Sequence, residues 1–384
     1  MHVLQVHNSY RQRGGEDTVV AVDARLLRSA GHAVTQYIVP NPTKNIETAL
    51  RLGLSVWNPA AGRRFRGQLA EVKPDIVHIH NTWFSITPSA AHQARRAGVP
   101  VVMTLHNYRL SCANGQFFRH GSQCTDCLTG SAFNGLRHRC YQDSFAASAL
   151  AAANTGIHRQ LGTWTNNVDR FLCLTEFARA RFIEAGVPES KLHVRHNCVD
   201  DPGGRTVPAS KSHQVAYIGR LAGEKGVRGL LEAWRLARPE NIQLLVVGDG
   251  PEREALEAMR VPGVRFTGPV EHQAVLETLR SVRCLVFPSL WFEGEPMIVV
   301  EALATGTPIL ASSVGGIPEL LGFGSAGWLT TAGDVEAWRG SLRDIGSDVD
   351  IDTKSRAARE MYLERHTPSK GLQSLVGSYE PLVS

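Results

Sequence analysis

Short apolar runs alternate with longer amphipathic stretches along the whole chain. The runs at 2–7, 33–38, 76–80, 101–105, 170–175 and 191–195 read as strands, as do 214–218, 243–247, 264–267, 284–288 and 308–311. Many are continuously apolar, the pattern of parallel strands covered on both faces. Helical periodicity lies between them, for example at 18–30, 226–236, 251–259 and 296–305. This alternation predicts an α/β protein made of βαβ units in doubly wound parallel sheets. The series breaks at Asp200-Asp201-Pro202-Gly203-Gly204 and a polar stretch to His213, then restarts at Gln214. Two Rossmann-like domains are expected, at 1–200 and 201–384, with the helical tail a candidate to return to the first. Ligands of such sheets bind beyond the carboxyl ends of the strands, here in an expected cleft between the domains.

Length agrees, because 384 residues exceed what one core usually holds. No apolar run approaches the roughly 20 residues that span a bilayer. The first ten residues lack a cationic segment before an apolar one, so they read as a first strand and not a signal peptide, and a cytoplasmic location is expected. Net charge is +5 but unevenly shared: residues 1–200 carry 22 Lys and Arg against 13 Asp and Glu, and the remainder 19 against 23. The basic half predicts an anionic partner, such as a phosphorylated acceptor or a phospholipid surface. No nucleic-acid motif accompanies it, so nucleic acid is not an expected partner.

The candidate chemistry of the second domain starts where the run at 214–218 meets Gly219-Arg220-Leu221-Ala222-Gly223-Glu224-Lys225-Gly226. Arg220 and Lys225 flank a loop at a strand's carboxyl end, where two cations suit a diphosphate. Alone, this loop is equally an ordinary βα turn with solvated cations. A second segment adds weight: Glu293-Gly294-Glu295-Pro296-Met297-Ile298-Val299-Val300-Glu301 follows another strand. Pro296 suits the first turn of a helix. The free amides of Met297 and Ile298 then form an anion site at the helix start. Glu301, one turn in, can accept hydrogen bonds from a ribose, and Glu293 from sugar hydroxyls.

These segments, with Val247-Gly248-Asp249-Gly250-Pro251, Glu301-Ala302-Leu303-Ala304-Thr305-Gly306-Thr307-Pro308-Ile309 and Val314-Gly315-Gly316-Ile317-Pro318-Glu319, resemble the family-four retaining glycosyltransferases of the GT-B fold. The resemblance runs from about residue 214 to 320, with several motifs in order. It implies a nucleoside diphosphate sugar donor held by Arg220, Lys225, Gly219, Gly294, Pro296, Met297, Ile298 and Glu301, with Glu293 on the donor sugar. It further implies a front-face transfer to a hydroxyl acceptor on a glycan, a lipid carrier or a small molecule, without a catalytic metal. The family usually has an apolar or aromatic residue where this chain has Glu295, so an extra carboxylate is expected beside the sugar.

In the first domain, Gly14, Gly15 and Glu16 open a helix after the first strand. The resemblance places a Gly-Gly pair near donor and acceptor, with Gly15 towards the donor and Gly14 and Glu16 on the acceptor side. His80 and His106 end strands; either is also compatible with a plain structural role. By the resemblance His106 matches the cleft histidine, at the donor sugar or the acceptor, and counts with Arg220, Lys225 and Glu293 among the catalytic residues; His80 is the second candidate, on the acceptor side.

Of seven cysteines, Cys112, Cys124, Cys127 and Cys140 cluster around a Cys-x-x-Cys pair. Four thiolates in a segment rich in Gly, Asn, Arg and His suit one structural zinc, with His120 and His138 as alternative ligands and free thiols or a redox pair as the alternative state. The stretch 50–57 and Arg63-Arg64-Phe65-Arg66 interleave apolar and basic residues, compatible with a peripheral membrane contact or with a packed helix bearing a solvated basic face. Two rivals to the transferase share the architecture: a nucleotide-sugar 2-epimerase, and a binding protein without chemistry.

Overall fold

The computed structural model describes residues 1–9, 14–41 and 53–383. These separate into two compact units: Met1–Arg119 with Cys124–His196 and Gly371–Ser384, and Asn197–Lys370 with His120–Gln123.

The first unit holds β1 (His2–Ser9), α1 (Gly15–Ser29), β2 (Ala33–Pro40), α2 (Pro59–Val72), β3 (Ile76–Asn81), β4 (Val101–Leu105), β5 (Arg170–Cys173) and β6 (Leu192–Val194). The six strands form one parallel sheet in the order β2-β1-β3-β4-β5-β6. Strands β3 and β4 are buried at every position, which is why they read as continuous apolar runs.

The second unit holds β7 (Gln214–Ile218), β8 (Gln243–Val247), β9 (Val264–Gly268), α3 (His272–Ser281), β10 (Cys284–Phe287), α4 (Met297–Thr305), β11 (Ile309–Ser312) and β12 (Gly327–Thr330). Its strand order is β9-β8-β7-β10-β11-β12, all parallel. Successive residues of a strand enter opposite cores, as the two-residue period requires. Ala216 and Ile218 pack with Leu285, Phe287, Val299 and Leu303, while Val215 and Tyr217 pack with Leu231, Trp234 and Trp338. Strand β12 lies beyond the runs the sequence pattern picks out. It is four residues long, begins with glycine and has two half-buried positions, so it carries little apolar signal.

The final helix, α5 (Pro368–Val383), contributes Leu375 and Tyr379 to the core of the first unit, beside Val3, Ile76, Val102 and Leu172. Tyr379 Oη lies 2.6 Å from His78 Nδ1. That buried contact and the apolar packing fix the end of the chain to the first unit.

The two sheets reverse direction at different places. In the second, the order turns between β7 and β10; in the first, between β1 and β3. Loops leaving adjacent strands on opposite sides of a reversal diverge and open a crevice at their carboxyl ends. The positions after β7, β10, β1 and β3 are therefore where chemistry is to be sought.

Candidate active site

In the second unit, both segments singled out by sequence emerge at this reversal. The loop after β7 carries Arg220 and Lys225, and the segment after β10 runs through Glu293 to the start of α4. Two glycines allow the loops to close together. Gly226 has φ +71°, and a Cβ there would come within 2.1 Å of the Pro288 carbonyl oxygen. Gly315 has φ +58°, and a Cβ there would lie 2.5 Å from the Glu293 carbonyl oxygen. Gly316 N–H donates to the same carbonyl at 3.0 Å. The Tyr217 hydroxyl donates to the Arg220 carbonyl at 2.7 Å and so steadies the loop.

Glu293 is buried and its Oε1 is crowded with donors. Lys225 Nζ approaches at 2.6 Å, Ser289 Oγ at 2.7 Å and Trp291 Nε1 at 2.6 Å. The Lys225 ammonium also lies 5.0 Å from the centre of the Trp291 ring. Among the described residues Oε2 of Glu293 has no hydrogen-bond partner, which leaves it available to a ligand hydroxyl. Arg220 is exposed and its guanidinium has no side-chain partner among the described residues. Thus Lys225 and Glu293 sit as an ion pair while Arg220 stands ready for an anion.

Helix α4 begins at Pro296, and no side chain caps it. Its first turn contains no acidic residue. The amides of Met297 and Ile298 make no backbone hydrogen bond, while those of Val299 and Val300 bond to the Pro296 carbonyl. An uncapped helix start carries partial positive charge and suits an anion. Glu301, one turn further on, is buried, and its Oε1 meets His272 Nε2 of α3 at 2.8 Å. Burial raises its carboxyl pKa, and the His272 contact offsets part of that rise.

Glu295 is held by partners within its own unit. Its carboxylate accepts from the Asn197 amide N–H, and its carbonyl accepts from Asn197 Nδ2 at 3.0 Å. Its Oε1 lies 3.8 Å from His366 Nδ1, which in turn meets the Asn197 carbonyl at 2.9 Å. The side chain expected beside a sugar thus has partners at the start and near the end of this unit.

In the first unit, Gly14 and Gly15 sit at the start of α1, and the preceding residues 10–13 lie outside the described residues. Asp17 accepts from the Gly14 amide at 2.8 Å and meets His7 Nε2 at 2.9 Å. Glu16 accepts from Asn107 Nδ2 at 2.8 Å. His80 and His106 meet directly: His80 Nδ1 is 3.2 Å from His106 Nε2, and the rings stack at 5.5 Å. His78, two residues before His80 on the same face, lies 4.1 Å from it between ring centres.

All three of these histidines are held neutral. Burial lowers the His106 pKa to about 3, with the charges of His7 and Arg195 adding to the effect. Burial likewise drives His78 and His80 well below the usual imidazole range. Asp23, His78 and His80 have donor atoms within 4.8 Å of one another. However, Asp23 grips Arg195 in a bidentate pair at 2.5 and 2.9 Å. Both nitrogens of His78 are engaged, by Thr104 and Tyr379. The trio is structural in this form.

His80 and His106 line a cavity of about 40 Å³ with Trp83, Asn107, Arg109 and Trp164, among others. Arg109 is the residue the sequence reading missed. Its guanidinium faces Trp83 at 5.2 Å and Tyr141 at 5.5 Å, and its buried Nε and Nη1 have no hydrogen-bond partner. Its signal was a cation three residues after the candidate His106. Ser289, Trp291 and His272 were also missed, because their roles lie only in which carboxylate they contact.

The four clustered cysteines, Cys112, Cys124, Cys127 and Cys140, line one small cavity. Of the basic stretch, 50–52 lie outside the described residues; Arg63, Arg64 and Arg66 are exposed on α2, while Phe65 is buried against Tyr37.

Comparison with known proteins decides the family. A model described as Glycosyltransferase Family 4 matches residues 1–201, more than half of the chain. The chain belongs to glycosyltransferase family 4. A model described as Glycosyl transferases group 1 matches 212–348 of this glycosyltransferase. It is 27% identical over 354 residues to the phosphatidyl-myo-inositol mannosyltransferase of Mycolicibacterium smegmatis, covering 90% of this chain and 80% of the relative. It is 26% identical over 388 residues to a GDP-mannose-dependent alpha-mannosyltransferase of the same organism, covering 99% and 92%. Among solved structures it resembles HepE of Anabaena in complex with UDP and glucose, with TM-score 0.68, 18% identity and coverage of 99% and 100%. Sucrose-phosphate synthase of Thermosynechococcus elongatus gives TM-score 0.72, 15% identity and coverage of 100% and 99%. These similarities establish the fold as GT-B, with two Rossmann-like domains. Among the described residues no helix is long and apolar enough to cross a membrane.

Proposed function

We propose that this family 4 enzyme is a retaining transferase that moves a sugar from a nucleoside diphosphate sugar to a hydroxyl acceptor, with the donor bound by the second unit. One observation carries the reading. The reversal between β7 and β10 gathers an unpaired guanidinium, an ammonium and an uncapped helix start, and together these suit a diphosphate. The UDP and glucose in the HepE complex and the GDP-mannose in the relative's name support the donor class.

In this proposal the diphosphate lies against the Met297 and Ile298 amides, Arg220 and Lys225, near Gly219, Gly294 and Pro296. Glu301 accepts from the ribose, and Glu293 Oε2 from the sugar. Oε1 of Glu293 already carries three hydrogen bonds, so the group orients the sugar and is a poor nucleophile. The bond from the anomeric carbon to the diphosphate oxygen breaks as the acceptor oxygen bonds to the same face. The acceptor's proton passes to the departing diphosphate. Arg220 and Lys225 stabilise the charge that develops there, the role a metal ion has in other transferases.

Gly15 would approach the donor, while Gly14, Glu16, His80 and His106 belong to the acceptor-binding first unit. A neutral His106 can give or accept one hydrogen bond without carrying charge. Arg109 favours an acceptor bearing an anionic group, in line with the positive excess of the first half and the lipid in the mannosyltransferase relative's name. The exposed arginines of α2 would suit an anionic membrane surface, placing the enzyme in the cytoplasm, at the membrane.

The test is a thermal-shift screen of nucleoside diphosphate sugars, repeated with Arg220→Ala and Glu293→Ala. One donor should stabilise the wild type and neither variant to the same extent. No stabilisation by any donor would sink the reading. Conversion of a donor without acceptor would point to the epimerase, and NMR of the product would establish whether configuration is retained.

A further inference from the structure

Four thiols meet in the first unit at a place the transfer reaction does not use. Cys112, Cys124, Cys127 and Cys140 line one cavity of about 10 Å³, with Asn114, Arg119 and others. That volume is about the share of one water-sized sphere. A dication among four convergent thiols binds them as thiolates and displaces their protons.

The surrounding chain has little regular secondary structure. Its longest helix is the four-residue Asn134–Arg137. Phe117, His120, Arg139, Gln142 and Asp143, none of them glycine, all have φ near +50°. Cys112 donates to Asn114 Oδ1 at 2.9 Å, and Cys127 reaches the Ala132 carbonyl at 4.0 Å. No three of the four sulfurs belong to a set within 4.8 Å of one another, so an ion would have to draw them inward. Four sulfur ligands without an open position match the filled tetrahedral set of structural zinc.

We propose that Cys112, Cys124, Cys127 and Cys140 bind one structural zinc ion, which clamps the wall of the His80–His106 cavity. Cys112 follows Arg109 by three residues. Cys140 directly precedes Tyr141, which accepts from Trp83 Nε1 at 3.0 Å and faces Arg109. One ion therefore joins both ends of the chain that present this wall. The metal site stands apart from the transfer reaction; its effect on turnover rests on the proposed function.

Metal analysis of full-length protein purified without chelators should find about one zinc per chain, the capacity of one four-thiolate site. Mass spectrometry should find all four cysteines reduced. The Cys124→Ser/Cys127→Ser double variant should lose the zinc, while Cys173→Ser, in strand β5, should keep it. Should the double variant not fold, the wild type alone decides. A strong chelator should lower its melting temperature, and added zinc should restore it. Full-length protein without metal and with four reactive thiols would overturn the proposal. So would a Cys124–Cys127 disulfide, zinc retained by the double variant, or iron found instead of zinc.

Discussion

Acidification is a sharp test of how the first unit is built. His78, His80 and His106 are buried and neutral in the fold, whereas each has a pKa of about 6.5 when unfolded. The folded pKa lies below the unfolded one, so the unfolded chain binds more protons between the two. Stability is therefore full above about pH 6.5 and falls as pH drops through the unfolded value, down to about 3 for His106. At pH 5 the neutral His106 costs about 2 kcal/mol, since about 1.4 kcal/mol is lost per pH unit below 6.5. His78 and His80 act in the same direction, against a typical domain stability of about 5–15 kcal/mol.

The assay is urea unfolding between pH 7 and 5, followed by hydrogen exchange in peptides from β3 and β4. Carboxylates that titrate below about pH 5 stay out of this window. His106→Gln keeps a hydrogen-bonding group towards His80 but cannot be protonated. It should reduce the pH slope by about one proton, or about 1.4 kcal/mol per unit. An unchanged slope in this variant would refute the claim that His106 is neutral in the fold. It would also remove the reason for assigning His106 an uncharged role at the acceptor.

Other perturbations separate binding from structure. Glu293→Gln weakens the charge-assisted bond to Lys225 and the proposed contact to the sugar. A hydrogen bond to a charged group contributes about 1.5–3 kcal/mol, so kcat/KM should fall about 10- to 100-fold in steady-state kinetics. Activity within twofold of wild type would remove Glu293 from the donor site. His272→Ala removes the contact that offsets the raised Glu301 pKa. The carboxyl then protonates at higher pH, so loss of donor affinity on acidification should begin at higher pH, as calorimetry would show; an unshifted limb counts against Glu301 as a ligand group. Glu295→Gln should leave donor preference unchanged but lower the melting temperature, because it weakens a buried carboxylate set against Asn197 and His366. A switch in preferred sugar would place Glu295 in the donor site.

The strands were readable because burial on both faces leaves continuous apolar runs, and the two reversal points carry the segments that motif spacing had singled out. Strand order itself was not readable, since adjacency in a parallel sheet leaves no local mark. His78 and His80 share a face by the two-residue period alone, so part of the histidine cluster was available from sequence; its contact with Tyr379, 301 residues away, was not. Arg109 was visible only as one more cation in a basic half. What distinguishes it is that the cavity buries two of its nitrogens without partners.

Glu293 and Glu295 show where local reasoning stops. They are two residues apart on one irregular segment, and by type and spacing they looked like a pair of carboxylates beside one ligand. Their partners lie 68 and 98 residues away in sequence. One is drawn to Lys225 after β7 and the other to Asn197, where the second unit starts. Buried carboxylates are costly unless hydrogen-bonded, so each must find donors, and a segment anchored on both sides loses the freedom to drift. The start of α4 follows at once. Glu295 thereby helps fix the Met297 and Ile298 amides through the segment it anchors.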